Sequence, residues 1–436
     1  MTSRPNLRFW SRLDANPVWT LADSAASSAS NFVLGSLIAL RSTPELYGRF
    51  ALAFALYSLT FGVWRAWAVE PFLLGVRSRS FGPGSVVGAC ANIGGGAMIL
   101  GLVVASGVGG DGRSLILAVA FSLPVLAAHD GVRYCLIGSQ RAHLALVVDV
   151  LWLVLMIVGS TRISTPTTII LWWTASGALT LVAGLQLLEW PTLSGGRSWL
   201  RQTAGLGARF VFEFLIFTGS NIAIMFAVGF SSGLSEIGAY RGAAVLVGPV
   251  AVVVNGLVTV VLAMGVTHGS AGDDPKSDRR IDVNRIRARV QKLAALSLLV
   301  GVGWSVAVVF LPSSIGERIL GATWTASHPT AVPLSLAVGG QALISIATAG
   351  YRLLGQVDKG VRLKAVGVLL TMVGGSAASF GGGAFEASVG FAIAAISTGT
   401  VIVGLFRRDV ATLARRRLDR EAVDVSFAFN ETDPLV

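Results

Sequence analysis

Charge is scarce in this sequence. Only 13% of its 436 residues are Asp, Glu, Lys or Arg, about half of what a soluble domain carries. Too little polar surface is encoded to face water, so an ordinary soluble enzyme or nucleic-acid-binding domain is excluded. Cysteine is nearly absent. Cys90 and Cys135 give neither a disulfide framework nor a metal-ligand spacing. The four histidines are scattered and form no metal spacing either. Also missing is the period-two alternation of a membrane barrel strand. What stands in its place is long apolar runs, such as Val245 to Val266. In lipid every backbone polar group must be satisfied internally, which leaves helices or closed barrels. Unbroken runs of this length select helices. The fold class is therefore an all-α polytopic membrane protein, with no cofactor and no metal expected.

Reading apolar runs between charged residues predicts twelve membrane spans, at about 18–40, 47–75, 85–108, 113–134, 141–162, 166–188, 207–230, 237–266, 290–312, 330–354, 361–382 and 385–406. The first run contains Asp23, Ser27, Ser28 and Asn31 and reads as a retained span, not the uniformly apolar core of a signal peptide. With both termini placed in the cytoplasm, the outer segments hold only Arg41, Arg49, Arg113, Arg162, Arg241 and Arg318 of the 34 basic residues. Nearly all the rest fall inside, as the positive-inside rule requires. The excess charge of +11 thus reports topology, and no nucleic-acid partner is expected. Arg415, Arg416 and Arg417 add a basic flank to the tail. The polar stretch Asp273–Asp278 and the tail beyond Arg420 are expected to be flexible.

The halves resemble each other. Asp23 and Asn31, followed by Glu45 and Arg49, match Glu213 and Asn221, followed by Glu236 and Arg241, with equal acid-to-Asn spacing. The offset is about 190 residues, close to half the chain. Six spans per half make the repeats parallel, related by an axis along the membrane normal. The expected organisation is an N-terminal six-helix lobe over 1–188, a cytoplasmic linker over 189–206, a C-terminal six-helix lobe over 207–406, and a basic cytoplasmic tail over 407–436.

Ionisable groups inside spans are the candidates for function, because each costs about 2.5–3.5 kcal/mol at a helix centre. The most central is Arg65, between Trp64 and Trp67. It reads either as a contact for an anionic head group or as half of a structural ion pair. Asp23, Ser27 and Asn31 share one helical face at steps of four. Glu213 and Asn221 repeat part of that face, and both stripes are expected to line a cavity between the lobes. Serine and asparagine also serve to bond neighbouring helices. Asp130 has Arg133 one turn on, the spacing of a structural ion pair. Asp149 has no partner nearby in sequence and is the candidate for a coupling ion. Gly107–Gly112 matches a dinucleotide-binding pattern but sits in a short turn between membrane helices, without the strand that pattern needs. No carboxylate dyad, nucleophile elbow or phosphate-binding loop is present, so the chain is not expected to be an enzyme.

The segments Leu21-Ala22-Asp23-Ser24, Ser28-Ala29-Ser30-Asn31-Phe32 and Pro44-Glu45-Leu46-Tyr47-Gly48-Arg49-Phe50 resemble the start of Wzx-like oligosaccharide flippases. These belong to the multidrug/oligosaccharidyl-lipid/polysaccharide (MOP) exporter superfamily. Arg65-Ala66 with Glu70-Pro71 resembles the same family, as do His129-Asp130-Gly131-Val132-Arg133-Tyr134, Arg141 and Asp149-Val150-Leu151-Trp152. In the second half only Gly238-Ala239-Tyr240-Arg241 and the helix layout agree. The resemblance implies two six-helix lobes in a bacterial inner membrane. It also implies a polyprenyl-diphosphate-linked oligosaccharide as cargo, moved from the inner to the outer leaflet, with membrane lipids around it and a polymerase or glycosyltransferase as partner. Arg65 would then lie near the diphosphate. Two other readings stand beside this one. One is an ion-coupled exporter of organic cations from the same superfamily, with Asp23, Asp149 and Glu213 as cation ligands. The other is a membrane polymerase or ligase, which the short outer loops disfavour.

Overall fold

The computed structural model describes residues 16–74, 81–267 and 283–430. Arg4, Arg8, Arg12, Arg77, Arg79 and the stretch Asp273–Asp278 lie outside the described residues. The elements in order are α1 (Asn16–Leu40), α2 (Pro44–Trp64), a π-turn (Arg65–Val69), α3 (Glu70–Leu73), α4 (Pro83–Ser106), α5 (Gly110–Gly138), α6 (Ala142–Ser160), α7 (Pro166–Leu185), α8 (Leu193–Gln202), α9 (Ala204–Ser232), α10 (Leu234–Thr267), α11 (Val283–Val309), α12 (Ser313–Leu320), a 3-10 turn (Gly321–Thr323), α13 (Trp324–Leu353), α14 (Val357–Ser379) and α15 (Ala384–Asn430).

Among the described residues ten helices are long and apolar enough to cross a bilayer, and α9, bent by 40° between Ile216 and Thr218, makes eleven. The 25-residue α1 is not among these eleven, yet at 1.5 Å per residue it is about 37 Å long, enough for a twelfth crossing. The sequence dictates many of the starts. Pro44, Pro83 and Pro166 take the first helical positions of α2, α4 and α7, where no N–H is needed. Thr43 Oγ1 accepts from Leu46 N and Thr165 Oγ1 from Thr168 N, each at 3.3 Å. Gly233, at φ +92°, turns α9 into α10 with a single residue, a conformation that L side chains resist.

Short turns make successive long helices antiparallel, which defines two ends. The near end holds the start of α1 and the far end the starts of α2 and α10. The helices α1, α2 and α4–α7 pack together, as do α9–α11 and α13–α15, and the broadest contact between the two groups is α2 against α10. At the far end this seam closes glycine on glycine. A Cβ on Gly48 would lie 1.9 Å from Leu234 O, and one on Gly238 would lie 2.2 Å from Pro44 O. Those are the N-termini of α2 and α10, which hold the second part of each repeat, Glu45 with Arg49 and Glu236 with Arg241. Glu236 Oε2 also accepts from Ala384 N at 2.9 Å, capping α15 at the same end. At the near end the seam is α2 against α9: the Phe214 ring covers Gly62, and Trp67 covers Gly207.

The segment 189–206 carries α8, which packs on α4. Two sequence expectations need correction. The tail expected to be flexible beyond Arg420 is helical as far as Asn430, where the described residues end. Arg241 is not in a loop. Because the α9–α10 turn is one residue long, α10 starts at Leu234 and Arg241 lies two turns inside it.

Candidate functional site

The site grows from α2. Tyr47, Phe50, Phe54, Tyr57, Phe61 and Trp64 recur at steps of three and four, so they share one face. Their rings form a ladder with centroid spacings of 5.0 to 5.8 Å between successive members. Trp173 of α7 packs on its middle, 5.2 Å from Tyr57, and stacks on Trp152 of α6 at 5.6 Å. Such ring pairs add about 0.5–1.5 kcal/mol each beyond burial, so the ladder is a rigid rail.

At the foot of the rail lies an ionic cluster. Trp64 Nε1 donates to Asp130 Oδ2 at 2.9 Å. Asp130 Oδ1 accepts from Arg133 Nη1 at 3.3 Å. Arg133 Nε and Nη2 both reach Asp23 Oδ2 at 2.7 Å. Asp149 Oδ2 is 3.2 Å from the same Nε, as an ion pair without hydrogen-bond geometry. One guanidinium from α5 thus faces carboxylates from α1, α5 and α6, all four side chains buried. If every group were charged, the cluster would carry two uncompensated negative charges in a low dielectric. Asp23 Oδ1 and both Asp149 oxygens find no hydrogen-bond donor. A buried carboxylate in that position tends to take up a proton or share a cation. Among the described residues no group of His, Cys, Asp and Glu is arranged to hold a metal ion, and Arg133 itself fills the centre.

Arg65 is held differently. It begins the π-turn and is half-buried. Among the described residues no ion pair engages it. Its Cζ sits 4.9 Å from the Phe61 ring and 4.6 Å from the Tyr134 ring. Aromatic faces attract the flat face of a guanidinium and leave its N–H edges free to donate. Tyr134 is shared, because Arg133 Cζ lies 4.9 Å from the same ring. A single phenol therefore separates the paired arginine from the unpaired one. π-turns inside α-helices concentrate at functional positions, and nothing in the composition around Arg65 announces this one.

Two cavities flank α10. One, of about 600 Å³, is lined only by α1 and α10, with Ser28, Asn31 and Arg241 as its main polar groups. The other, of about 320 Å³, lies toward α9, α13 and α15, with Asn221, Gln341 and Ser345 in its wall. Neither wall contains an acid. The Arg241 Cζ rests 4.3 Å from the Phe54 ring, on the aromatic rail. Its Nε makes no hydrogen bond of good geometry, and the Tyr47 hydroxyl lies beside the same guanidinium. Sequence reasoning counted Arg241 with the outer segments as a topology signal and gave it no site role. The usable signal was Gly233 immediately before Leu234, which forces an earlier helix start.

The sequence-derived candidates thus fall in separate places. Asn31 and Asn221 line different cavities. Asp23 and Asp149 join Asp130 and Arg133 in the buried cluster. Glu213 pairs with Arg352 at 2.9 Å and lines a third cavity of about 480 Å³ with Glu70 at the near end. Arg65 stands between the cluster and the α2–α9 seam.

No protein-family model and no curated relative match the chain. Solved structures do. A lipid II flippase, MurJ, in an inward-closed conformation superposes with a TM-score of 0.64 at 13% identity, covering 96% of this chain and 93% of that one. An outward-facing multidrug-resistance MATE-family transporter of the MOP superfamily gives 0.59 at 12% identity, covering 91% and 94%. A MOP-superfamily transporter from Pyrococcus furiosus, whose reversed binding-pocket polarity suggests a different function, gives 0.56 at 12%, covering 91% and 95%. At these identities the likeness is one of fold, and the chain has the multi-pass fold that these transporters share.

Proposed function

We propose that the protein moves a polyprenyl-diphosphate-linked oligosaccharide from the inner to the outer leaflet of a bacterial cell membrane, by alternating opening of two lobes, residues 1–188 and 207–406. One observation carries the reading. The cavity of about 600 Å³ between α1 and α10 contains an arginine whose Nε makes no hydrogen bond, and no acid. A cavity of that polarity attracts an anion and repels the organic cations that an exporter of the runner-up type would bind. A guanidinium suits a phosphate because its planar fork donates two parallel hydrogen bonds. Arg241 on α10 and the edge-free Arg65, in the π-turn that continues α2, are the two residues assigned to the diphosphate. Asn31, Asn221 and Glu213 are assigned to contacts with the sugar. With only α1 and α10 for walls, the cavity suits a cargo whose lipid tail stays in the bilayer. The similar fold of a lipid II flippase supports the same class of cargo, and a polymerase or glycosyltransferase would act beside it.

Coupling falls to the Arg133 cluster, with Asp23 and Asp149 as the sites that take up the ion. Because Arg133 fills the centre, a proton fits better than a metal cation. Its arrival would loosen Arg133 from the acids, and Tyr134 would pass the change to Arg65. In this reading the near end faces the cytoplasm.

Polyprenyl lipids from cells lacking the protein, analysed by mass spectrometry, are expected to contain one accumulated diphosphate-linked oligosaccharide. In reconstituted vesicles Arg65→Ala and Arg241→Ala should each lower flipping by about 10- to 100-fold, the worth of a charged hydrogen bond. Unchanged lipid pools in cells that have become sensitive to cationic drugs would instead establish the exporter reading.

A further inference from the structure

The short helix α8 has no place in the transport scheme above, yet it is built with care. Its inner face, Gly196, Trp199 and Thr203, is buried. Gly196 lies so close to α4 that a Cβ there would be 2.4 Å from Ala89 N. Asn92 Nδ2 of α4 donates to Leu193 O at 2.9 Å. Two tryptophans then lock α8 to the π-turn of α2. Trp199 Nε1 donates to Ala68 O at 2.9 Å, and Trp67 Nε1 donates to Leu200 O at 3.2 Å. The residues so bonded, Trp67 and Ala68, belong to the turn that begins with Arg65.

The outer face has a different character. Leu193, Arg197 and Arg201 follow at steps of four and form one column, all exposed. Leu193 is 58% exposed and Trp190, just before the helix, is 61% exposed. Arg209, at the start of α9, is also exposed. The column sits at the near end of a bundle of membrane-crossing helices. Apolar side chains beside arginines on a helix outside the bundle fit the boundary between acyl chains and head groups. Positive charge at that boundary fits anionic lipid and no neutral one.

We propose that α8 is a lipid-reading strap: Arg197 and Arg201 bind the anionic phospholipid head groups of the near leaflet, and the two tryptophan bonds carry that binding to the π-turn that positions Arg65. Lipid charge would then set how firmly Arg65 is held, whichever cargo the protein carries. The inference concerns the resident bilayer and stands whether or not the flippase reading does.

The test uses the full-length protein in vesicles of phosphatidylcholine alone and of phosphatidylcholine with phosphatidylglycerol, read by amide hydrogen exchange. Protection over α8 and over the π-turn should rise together with phosphatidylglycerol, by about 30-fold at low salt, as two arginines at an anionic surface imply. High salt should erase the rise. In Arg197→Gln/Arg201→Gln it should fall to about threefold or less. In Trp199→Phe, α8 should still respond to phosphatidylglycerol while the π-turn no longer does. Protection that ignores lipid charge, or a response that survives the double arginine substitution, would overturn the proposal. A response of α8 alone in the unaltered protein would overturn its coupling to Arg65.

Discussion

Replacing Arg133 by Met will unfold the N-terminal helices long before it can be scored for transport. Among the described residues Arg133 is the cation paired with Asp23 and Asp149, and with Trp64 it holds Asp130. Removing one member of a buried ionic group leaves its partners charged without compensation, at a cost of about 3–5 kcal/mol. Here three carboxylates lose their common cation at once. They lie on α1, α5 and α6, so repulsion acts between helices and pushes the bundle apart. The expected result is a large drop in the temperature at which the detergent-solubilised protein loses its monodisperse peak. Asp149→Asn should have the opposite character. It removes a carboxylate that has no hydrogen-bond donor and relieves the excess of negative charge, so its melting temperature should equal or exceed that of the parent. Adding Asp23→Asn and Asp149→Asn to the Arg133→Met protein should restore much of the loss. If Arg133→Met melts like the parent, the cluster is not the electrostatic keystone described above.

Gly48→Ala will change conformation, not stability alone. The added methyl would lie 1.9 Å from Leu234 O and 2.8 Å from Leu234 C. Both are backbone atoms and cannot turn aside as a side chain would. Membrane helices use small residues to bring backbones this close, and here the partner is the corresponding segment of the other half, with Gly238 against Pro44 O. The far-end seam must part to admit the methyl group. Spin labels on Thr161→Cys and Phe380→Cys, exposed far-end positions in the two helix groups, should move apart by more than about 2 Å, since packed seams yield in discrete steps. Cys90 and Cys135 are buried and free, so they add little background labelling. Turnover should fall by at least about 100-fold if the transport cycle passes through the closed seam. An unchanged distance with unchanged turnover would mean that the seam tolerates a methyl group.

Much of this fold could be read in the sequence, because lipid enforces a strong signal. Each long apolar run matches a helix, and misplacements are confined to ends such as Pro44 and Leu234, where a proline or a single glycine sets the boundary. What escaped was short or non-local. The ten-residue α8 carries two glycines and two arginines and looked like a polar connection, since its burial depends on α4 lying alongside. The α12 turn was invisible for the same reason. Asp130 with Arg133 was legible as a local spacing. Asp149 with Arg133 was not, because the pair forms only when α6 folds back on α5. Asp23 read as a cavity residue from its polar face, but Arg133 reaches it from α5 and supplies the cation. The π-turn inserts one extra residue per turn without any compositional mark, so the direction of Arg65 could not be derived from helical periodicity.

The two cavities beside α10 share the residues Ala244, Gly248 and Ala251. A single helix is therefore a party wall between two rooms, with no fixed partition of its own. Pro249, inside the helix, removes a rung from its hydrogen-bond ladder just at that wall and weakens its resistance to bending. A lean of that wall would give one room space at the expense of the other. Space for a bulky guest is then obtained by exchange between neighbours, without excavating the packed interior.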